Sequence, residues 1–165
     1  MKGNGSHESS AGRGVRQGGP RGALSVVLLF GATGDLARRM LLPSLYALAV
    51  DGLLPAGIRI VGTARSDLDD GAFRAFAADA LRPHVAGGLG TANDEADFLA
   101  SLSYVQLDAT DRAGYGRLAE AVGVDDDVSI FLSTAPSLFE ATIEGLRSAG
   151  LSGPRARIGL EKPLG

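Results

Sequence analysis

Two glycines and an alanine with the spacing G-x-x-G-x-x-A follow an apolar run. They are Gly31, Gly34 and Ala37, and the run before them covers residues 26–30. Glycines let a backbone approach a phosphate closely, and the first N–H groups of a following helix favour an anion. The pattern predicts a phosphate-binding loop for a nucleotide. The alternative is a tight structural turn between a strand and a helix, because the commoner form of the motif is G-x-G-x-x-G.

An arginine and an aspartate follow two later apolar runs. Arg65 ends the segment Gly-Thr-Ala-Arg, where an acidic residue would accept hydrogen bonds from an adenosine ribose. A guanidinium instead suits a 2′-phosphate, so Arg65 favours NADP; the alternative is a solvated arginine paired with Asp67. Asp108 and Ala109 follow the next run and should lie at the same edge of the sheet. Asp108 would either contact the adenine end of the cofactor or cap the next helix.

Two further segments follow apolar runs near the end of the chain. The segment 133–137 is either a loop beside the nicotinamide or a simple connection, because Pro136 ends a ladder and Ser137 can cap a helix. Lys162 precedes Pro163, which keeps it extended. It would point into the same crevice as Gly31 and bind a phosphate or a hydroxyl. The alternative is an exposed lysine at a chain end.

The elements that position these residues alternate between strands and helices. Alternation of this kind predicts an α/β fold, a Rossmann-like doubly wound parallel sheet with right-handed crossovers. The predicted strands cover residues 24–30, 58–62, 102–107, 128–133 and 156–160. The predicted helices begin at residues 35, 67, 95, 112 and 137. Pro43 should kink or split the first helix, and Pro83 should end the second.

Composition narrows the class of protein. The chain has 165 residues, 45% of them hydrophobic, no cysteine and a net charge of −3. These values predict one soluble cytoplasmic domain over residues 24–165, with no nucleic-acid or membrane partner. Residues 1–23 lack the apolar core of a secretory signal and predict a disordered tail, or an over-long start of translation. No metal site is predicted, because His7 and His84 are far apart in sequence.

Taken together, the motifs resemble the N-terminal NADP-binding domain of glucose-6-phosphate dehydrogenase. The resemblance covers residues 24–165. It rests on the order and spacing of G-A-T-G-D-L-A-R at 31–38, L-P-S-L-Y at 42–46, I-V-G-T-A-R at 60–65, A-P at 135–136 and E-K-P-L-G at 161–165. The last motif usually reads E-K-P-F-G in that family, so Leu164 is a mild departure.

The resemblance implies a role for each matching position. A cofactor loop would cradle the phosphates of NADP, and its residues are Gly31, Ala32, Thr33, Gly34, Asp35, Leu36, Ala37 and Arg38. Arg65 would contact the 2′-phosphate, and Asp108 with Ala109 would lie along the adenine. Lys162 would contact both cofactor and substrate, and Pro163 would set the geometry at the join with the next domain. Family members transfer a hydride from C1 of glucose 6-phosphate to the nicotinamide, in the pentose phosphate pathway, and give the lactone.

The resemblance also implies what these residues do not supply. In the family, a histidine cluster further along the chain binds the sugar phosphate and provides the general base. His7 and His84 do not match that cluster, so we expect no catalytic residue in this chain and little activity from it alone. Full-length members form homo-oligomers through a large domain that follows the cluster.

Two other interpretations remain open at this point. One is a non-catalytic NADP-sensing or interaction module, since related glycine loops occur outside dehydrogenases. Catalytic short-chain reductases carry a Tyr-x-x-x-Lys pair, and no tyrosine of this chain has a lysine four positions later. The other is an unstable gene fragment whose exposed apolar surface aggregates.

Overall fold

A parallel sheet of five strands forms the centre of the structure. The computed structural model describes residues 25–123, 127–153 and 156–160. The strands are β1 (Val26–Phe30), β2 (Arg59–Ala64), β3 (Leu102–Gln106), β4 (Val128–Leu132) and β5 (Ala156–Leu160). Their order across the sheet is β3-β2-β1-β4-β5, and every neighbouring pair is parallel. All five predicted strands are confirmed, with small shifts at their ends.

The central strand β1 is buried on both faces. All five of its residues are apolar and at most 2% exposed. Successive side chains of a strand point to opposite faces, so Val27 and Leu29 join one core cluster while Val26, Leu28 and Phe30 join the other. A continuous apolar run is the pattern expected for a parallel strand covered by helices on both sides.

Helices cover the two faces of the sheet unequally. The helices are α1 (Leu42–Val50), α2 (Asp70–Ala86), α3 (Ala92–Ala100), α4 (Tyr115–Val122) and α5 (Phe139–Ser148). The first three pack into one cluster through Leu42, Phe73 and Phe98. The last two pack into the other through Leu118 and Leu146. The predicted doubly wound α/β fold is therefore confirmed.

The two prolines act differently. Residues Ala37–Leu41 form a π-helical turn, and α1 begins at Leu42 with Pro43 in its first turn, so the helical stretch is divided where the sequence predicted. The prediction that Pro83 ends the second helix is wrong, because α2 continues through it to Ala86. Pro83 has no N–H to donate within the helix. Its carbonyl still accepts a hydrogen bond from Gly87 N–H (3.1 Å), so the last turn of α2 remains hydrogen-bonded.

Within the part of the chain that the structure describes, no helix is long and apolar enough to cross a membrane. The predicted tail at 1–23 lies outside the described residues. The domain limits proposed from the sequence stay a prediction.

Candidate functional site

The site begins where the winding of the sheet reverses. From β1 the chain moves outward to β2 and β3, and it then returns to place β4 on the other side of β1. In open α/β sheets, ligands bind at such a switch point, beyond the carboxyl ends of the strands. The loop that follows β1 starts at Gly31, and the loop that follows β4 starts at Ser133. These two loops border the crevice.

The glycine loop is held by backbone hydrogen bonds. Gly31 has a φ of 79°, and its N–H and that of Ala32 both donate to the Thr63 carbonyl at 2.9 and 3.2 Å. Gly34 N–H donates to the Gly31 carbonyl at 2.9 Å. These amides are already satisfied, so a phosphate would meet other donors. The Thr33 N–H has no backbone acceptor among the described residues.

Ser133 fastens the two loops together. Its hydroxyl donates to the Phe30 carbonyl at 2.6 Å, and its N–H donates to the same carbonyl at 3.1 Å. A Cβ placed on Gly31 would lie 2.9 Å from the Ser133 hydroxyl oxygen. Only a glycine therefore fits at the start of the loop. In the next residue, the buried hydroxyl oxygen of Thr134 has no hydrogen-bond partner among the described residues.

Arg65 lies at the carboxyl end of β2 with an exposed side chain. Among the described residues its guanidinium forms no ion pair, so the pairing with Asp67 considered from the sequence does not occur. The Thr33 hydroxyl of the glycine loop lies 3.2 Å from the Ser66 hydroxyl, which brings the two loops into contact. A cation that forms no salt bridge with the described residues thus stands beside the phosphate loop.

Asp108 is fixed by its own turn. One of its carboxylate oxygens accepts hydrogen bonds from the N–H and the hydroxyl of Thr110 at 2.9 and 2.8 Å. The hydrogen bonds from Thr110 and, after them, the charge of Arg65 lower the pKa of Asp108 below its ordinary 3.8. The helix cap considered from the sequence belongs to Asp111, which accepts from Ala113 N–H at 3.2 Å. Asp108 therefore remains available at the edge of the sheet.

Ala109 is buried next to this carboxylate. It is 8% exposed, and its carbonyl accepts a hydrogen bond from the Tyr115 hydroxyl at 2.8 Å. The contact ties the loop after β3 to α4. Its place at the adenine end of a cofactor stays a prediction.

Two charged residues of the predicted cofactor loop already have partners. Arg38 donates to Asp79 of α2 at 2.5 Å and lies 5.8 Å from the centre of the Phe76 ring. Asp35 accepts from Arg39 at 3.0 Å on an exposed surface. Arg38 is therefore held against α2, and the first turn after the loop is π-helical where the sequence predicted an ordinary helix start.

The structure thus brings most of the predicted site residues to one edge of the sheet. The glycine loop, Arg65 and Asp108 with Ala109 all follow strands at their carboxyl ends. Lys162 and Pro163 lie outside the described residues. Among the residues that the structure describes, no group of acidic, histidine or cysteine side chains could hold a metal ion.

Sequence reasoning missed Tyr104 and Gln106, which it treated only as strand residues. Both side chains hydrogen-bond to the backbone of the loop that carries Arg65. The available signal was a polar tip on an aromatic residue near the carboxyl end of a strand, where such a tip needs a partner once the ring is buried.

Comparison with known proteins agrees with this arrangement. Residues 28–165 match the family described as glucose-6-phosphate dehydrogenase, NAD binding domain. The chain is 52% identical over 143 residues to glucose-6-phosphate 1-dehydrogenase of Zymomonas mobilis, and 35% identical over 140 residues to that of Rhizobium meliloti. These matches cover 86% and 84% of this chain, but only 30% and 28% of the relatives.

Solved structures give the same result. The crystal structure of glucose-6-phosphate 1-dehydrogenase from Mycobacterium avium is similar with a TM-score of 0.76 and 33% identity, and the match covers 86% of this chain and 30% of that one. A glucose-6-phosphate dehydrogenase in complex with glucose-6-phosphate is similar with a TM-score of 0.73 and 26% identity, over 86% of this chain and 31% of the other. The chain spans about 30% of the relatives' length. It belongs to the glucose-6-phosphate dehydrogenase family and carries that family's nicotinamide-dinucleotide-binding domain.

Proposed function

We propose that this chain is the cofactor-binding part of an NADP-dependent glucose-6-phosphate dehydrogenase. The exposed guanidinium of Arg65 at the end of β2, which forms no salt bridge with the described residues, is the observation that carries the choice of NADP over NAD. An acidic residue there would repel a 2′-phosphate, whereas an arginine binds it through two parallel hydrogen bonds. The match with the substrate-bound structure supports glucose 6-phosphate as the substrate.

The residues present fit a dinucleotide. Gly31 leaves a space that a Cβ would fill, and the loop that it opens meets the Arg65 loop through Thr33 and Ser66. When bound, the nicotinamide supplies the acceptor for hydride, while the protein supplies orientation and charge. The glycine loop would hold the phosphates, Arg65 the 2′-phosphate, and Asp108 with Ala109 the adenine side. Lys162 would contact the substrate and the cofactor together.

The remaining parts of the proposal concern the whole protein. By resemblance to the family, the whole protein would be a cytoplasmic enzyme that assembles into homo-oligomers. The net charge of −3 gives this chain no general attraction to nucleic acid or anionic membranes. In the family the general base belongs to a histidine cluster that His7 and His84 do not match, so we expect little turnover from this chain alone.

Removal of the arginine tests the proposal. In Arg65→Ala the Kd for NADP, measured by calorimetry, should rise about tenfold to hundredfold, because a hydrogen-bonded charge pair contributes ~1.5–3 kcal/mol. The Kd for NAD should stay the same. Arg147→Ala is the matched control, because it removes the same charge from an exposed position in the last turn of α5. Equal binding of NAD and NADP by the unsubstituted chain would refute the choice of cofactor.

A further inference from the structure

Three successive backbone carbonyls, at the last residue of β2 and the first two residues after it, accept hydrogen bonds from β3 side chains. The single proton of the Tyr104 hydroxyl is shared between the carbonyls of Ala64 and Ser66, which lie 3.0 and 2.7 Å from its oxygen. The side-chain amide of Gln106 donates to the carbonyl of Arg65 between them at 3.1 Å. The loop is thus fixed on both sides of Arg65 and at Arg65 itself.

Tyr104 is itself rigidly placed. The residue is 7% exposed, and its ring packs 5.2 Å from that of Phe73 on α2. Its N–H donates to the carboxylate of Asp70 at 2.8 Å, at the start of the same helix. A tyrosine hydroxyl keeps its proton at neutral pH, and burial raises the pKa of Tyr104 further above its ordinary 10.0. The Tyr104 hydroxyl therefore holds the backbone at Ala64 and Ser66 from a well-packed position.

A fixed backbone at residues 64–66 should affect ligand binding mainly through Arg65, because its long side chain is exposed. The Arg65 side chain is exposed and forms no salt bridge with the described residues, so its backbone is held more firmly than its guanidinium. Ordering a flexible side chain and its loop on binding costs affinity, and prior ordering of the backbone removes part of that cost. The benefit is confined to ligands that Arg65 contacts.

We propose that Tyr104, assisted by Gln106, is a positioning residue for cofactor specificity: it holds the backbone at 64–66 so that Arg65 meets the 2′-phosphate of NADP. The inference rests on the proposed role of Arg65. It predicts that loss of the Tyr104 hydroxyl weakens the binding of NADP and leaves the binding of NAD unchanged, although Tyr104 is buried and is not among the residues proposed to contact a cofactor.

The test is Tyr104→Phe in the full chain, with the Kd of NADP and of NAD measured by calorimetry. The expected result is a rise of about threefold to tenfold in the Kd for NADP, which corresponds to one lost hydrogen bond, and an unchanged Kd for NAD. Gln106→Ala changes an exposed residue and should move the same ratio in the same direction. If Tyr104→Phe does not fold, Gln106→Ala decides alone.

Tyr46→Phe is the matched control. It also removes a tyrosine hydroxyl from the same core cluster, where that hydroxyl donates to the Leu89 carbonyl at 3.1 Å in a loop with no predicted cofactor contact. This control should leave the ratio of the two Kd values unchanged even where its thermal midpoint falls. An unchanged ratio in folded Tyr104→Phe, or equal weakening of NADP and NAD, would overturn the inference. Failure of Arg65→Ala to change the ratio would instead overturn the proposed function on which it rests.

Discussion

At the scale of single residues, Gly31 combines two requirements at one position. Its φ of 79° lies in the left-handed region, and the space where a Cβ would stand is taken by the Ser133 hydroxyl. A left-handed backbone costs any other residue roughly 1–2 kcal/mol, and the contact with Ser133 adds a separate steric cost. The absence of a side chain at Gly31 therefore lets the phosphate loop leave β1 in direct contact with the residue that follows β4.

Gly31→Ala should separate these two costs when it is compared with Gly52→Ala. Gly52 has a similar φ of 73° but nothing within 4 Å of the added Cβ. We expect Gly31→Ala to lower the free energy of unfolding by about 1–3 kcal/mol more than Gly52→Ala does, measured by urea denaturation. Equal losses in the two variants would show that the contact with Ser133 has no energetic consequence.

Residue identity predicted the site only in part. Gly31 and Arg65 could be placed because each follows a strand directly, and all strands of a parallel sheet end at one edge. The ion pair between Arg38 and Asp79 could not be foreseen, because it joins residues 41 positions apart across two helices. The hydrogen bonds from Tyr104 to the backbone beside Arg65 could not be predicted for the same reason, because contacts between residues far apart in sequence leave no local pattern.

At the scale of elements, α2 packs on the sheet through a contact that only a glycine permits. A Cβ on Gly62 of β2 would lie 2.5 Å from Phe73 of α2 and 2.8 Å from the side chain of Ala32. Both neighbours are fully buried. Because Gly62 has no side chain, both α2 and the phosphate loop can pack closely against β2.

Gly62→Ala should move these elements apart. We expect a loss of about 1–3 kcal/mol in the free energy of unfolding, because overpacking in a tight core has no cheap relief. The same change at Gly116, exposed in α4 with nothing within 4 Å, should raise the free energy of unfolding by ~0.5–1 kcal/mol through a less flexible unfolded chain. Thermal melts of both variants check the opposite signs. A neutral Gly62→Ala would contradict the packing argument.

Element boundaries show where local rules are sufficient. The strands were predictable from apolar runs, and Pro43 divided the first helical stretch as expected. The prediction for Pro83 was wrong because a proline removes one hydrogen bond without excluding a helix whose ends are otherwise satisfied. Here Asp69 caps the start of α2 by accepting from Ala72 N–H at 2.7 Å, and the helix has three further residues after Pro83.

At the scale of the whole molecule, the two core clusters enclose all three tyrosines of the chain. Burial is the largest cause that raises the pKa of Tyr46, Tyr104 and Tyr115 above 10.0. The unfolded chain releases these protons nearer pH 10, so the folded state binds more protons above that pH. The free energy of unfolding should therefore be unaffected by the tyrosines below pH 10 and fall as the pH rises beyond it.

An alkaline titration checks this expectation. Tyrosinate absorbance should appear together with the loss of far-ultraviolet circular dichroism, in one transition above pH 10. The chain in concentrated urea is the control, and its tyrosines should titrate near their ordinary pKa. Tyrosinate absorbance at lower pH in a chain with native circular dichroism would show that a cluster admits water.

The position of β1 at the middle of the sheet has a further consequence, for synthesis. Val26 pairs with Arg59 on one side and with Val128 on the other. A ribosome adds about 5–20 residues per second, so the second edge of this fully apolar strand waits roughly 5–20 s for its partner. During that interval the nascent chain presents an unpaired apolar strand edge, which is a template for aggregation. The rate of translation between residues 60 and 128 should thus affect how much of the protein reaches the folded state.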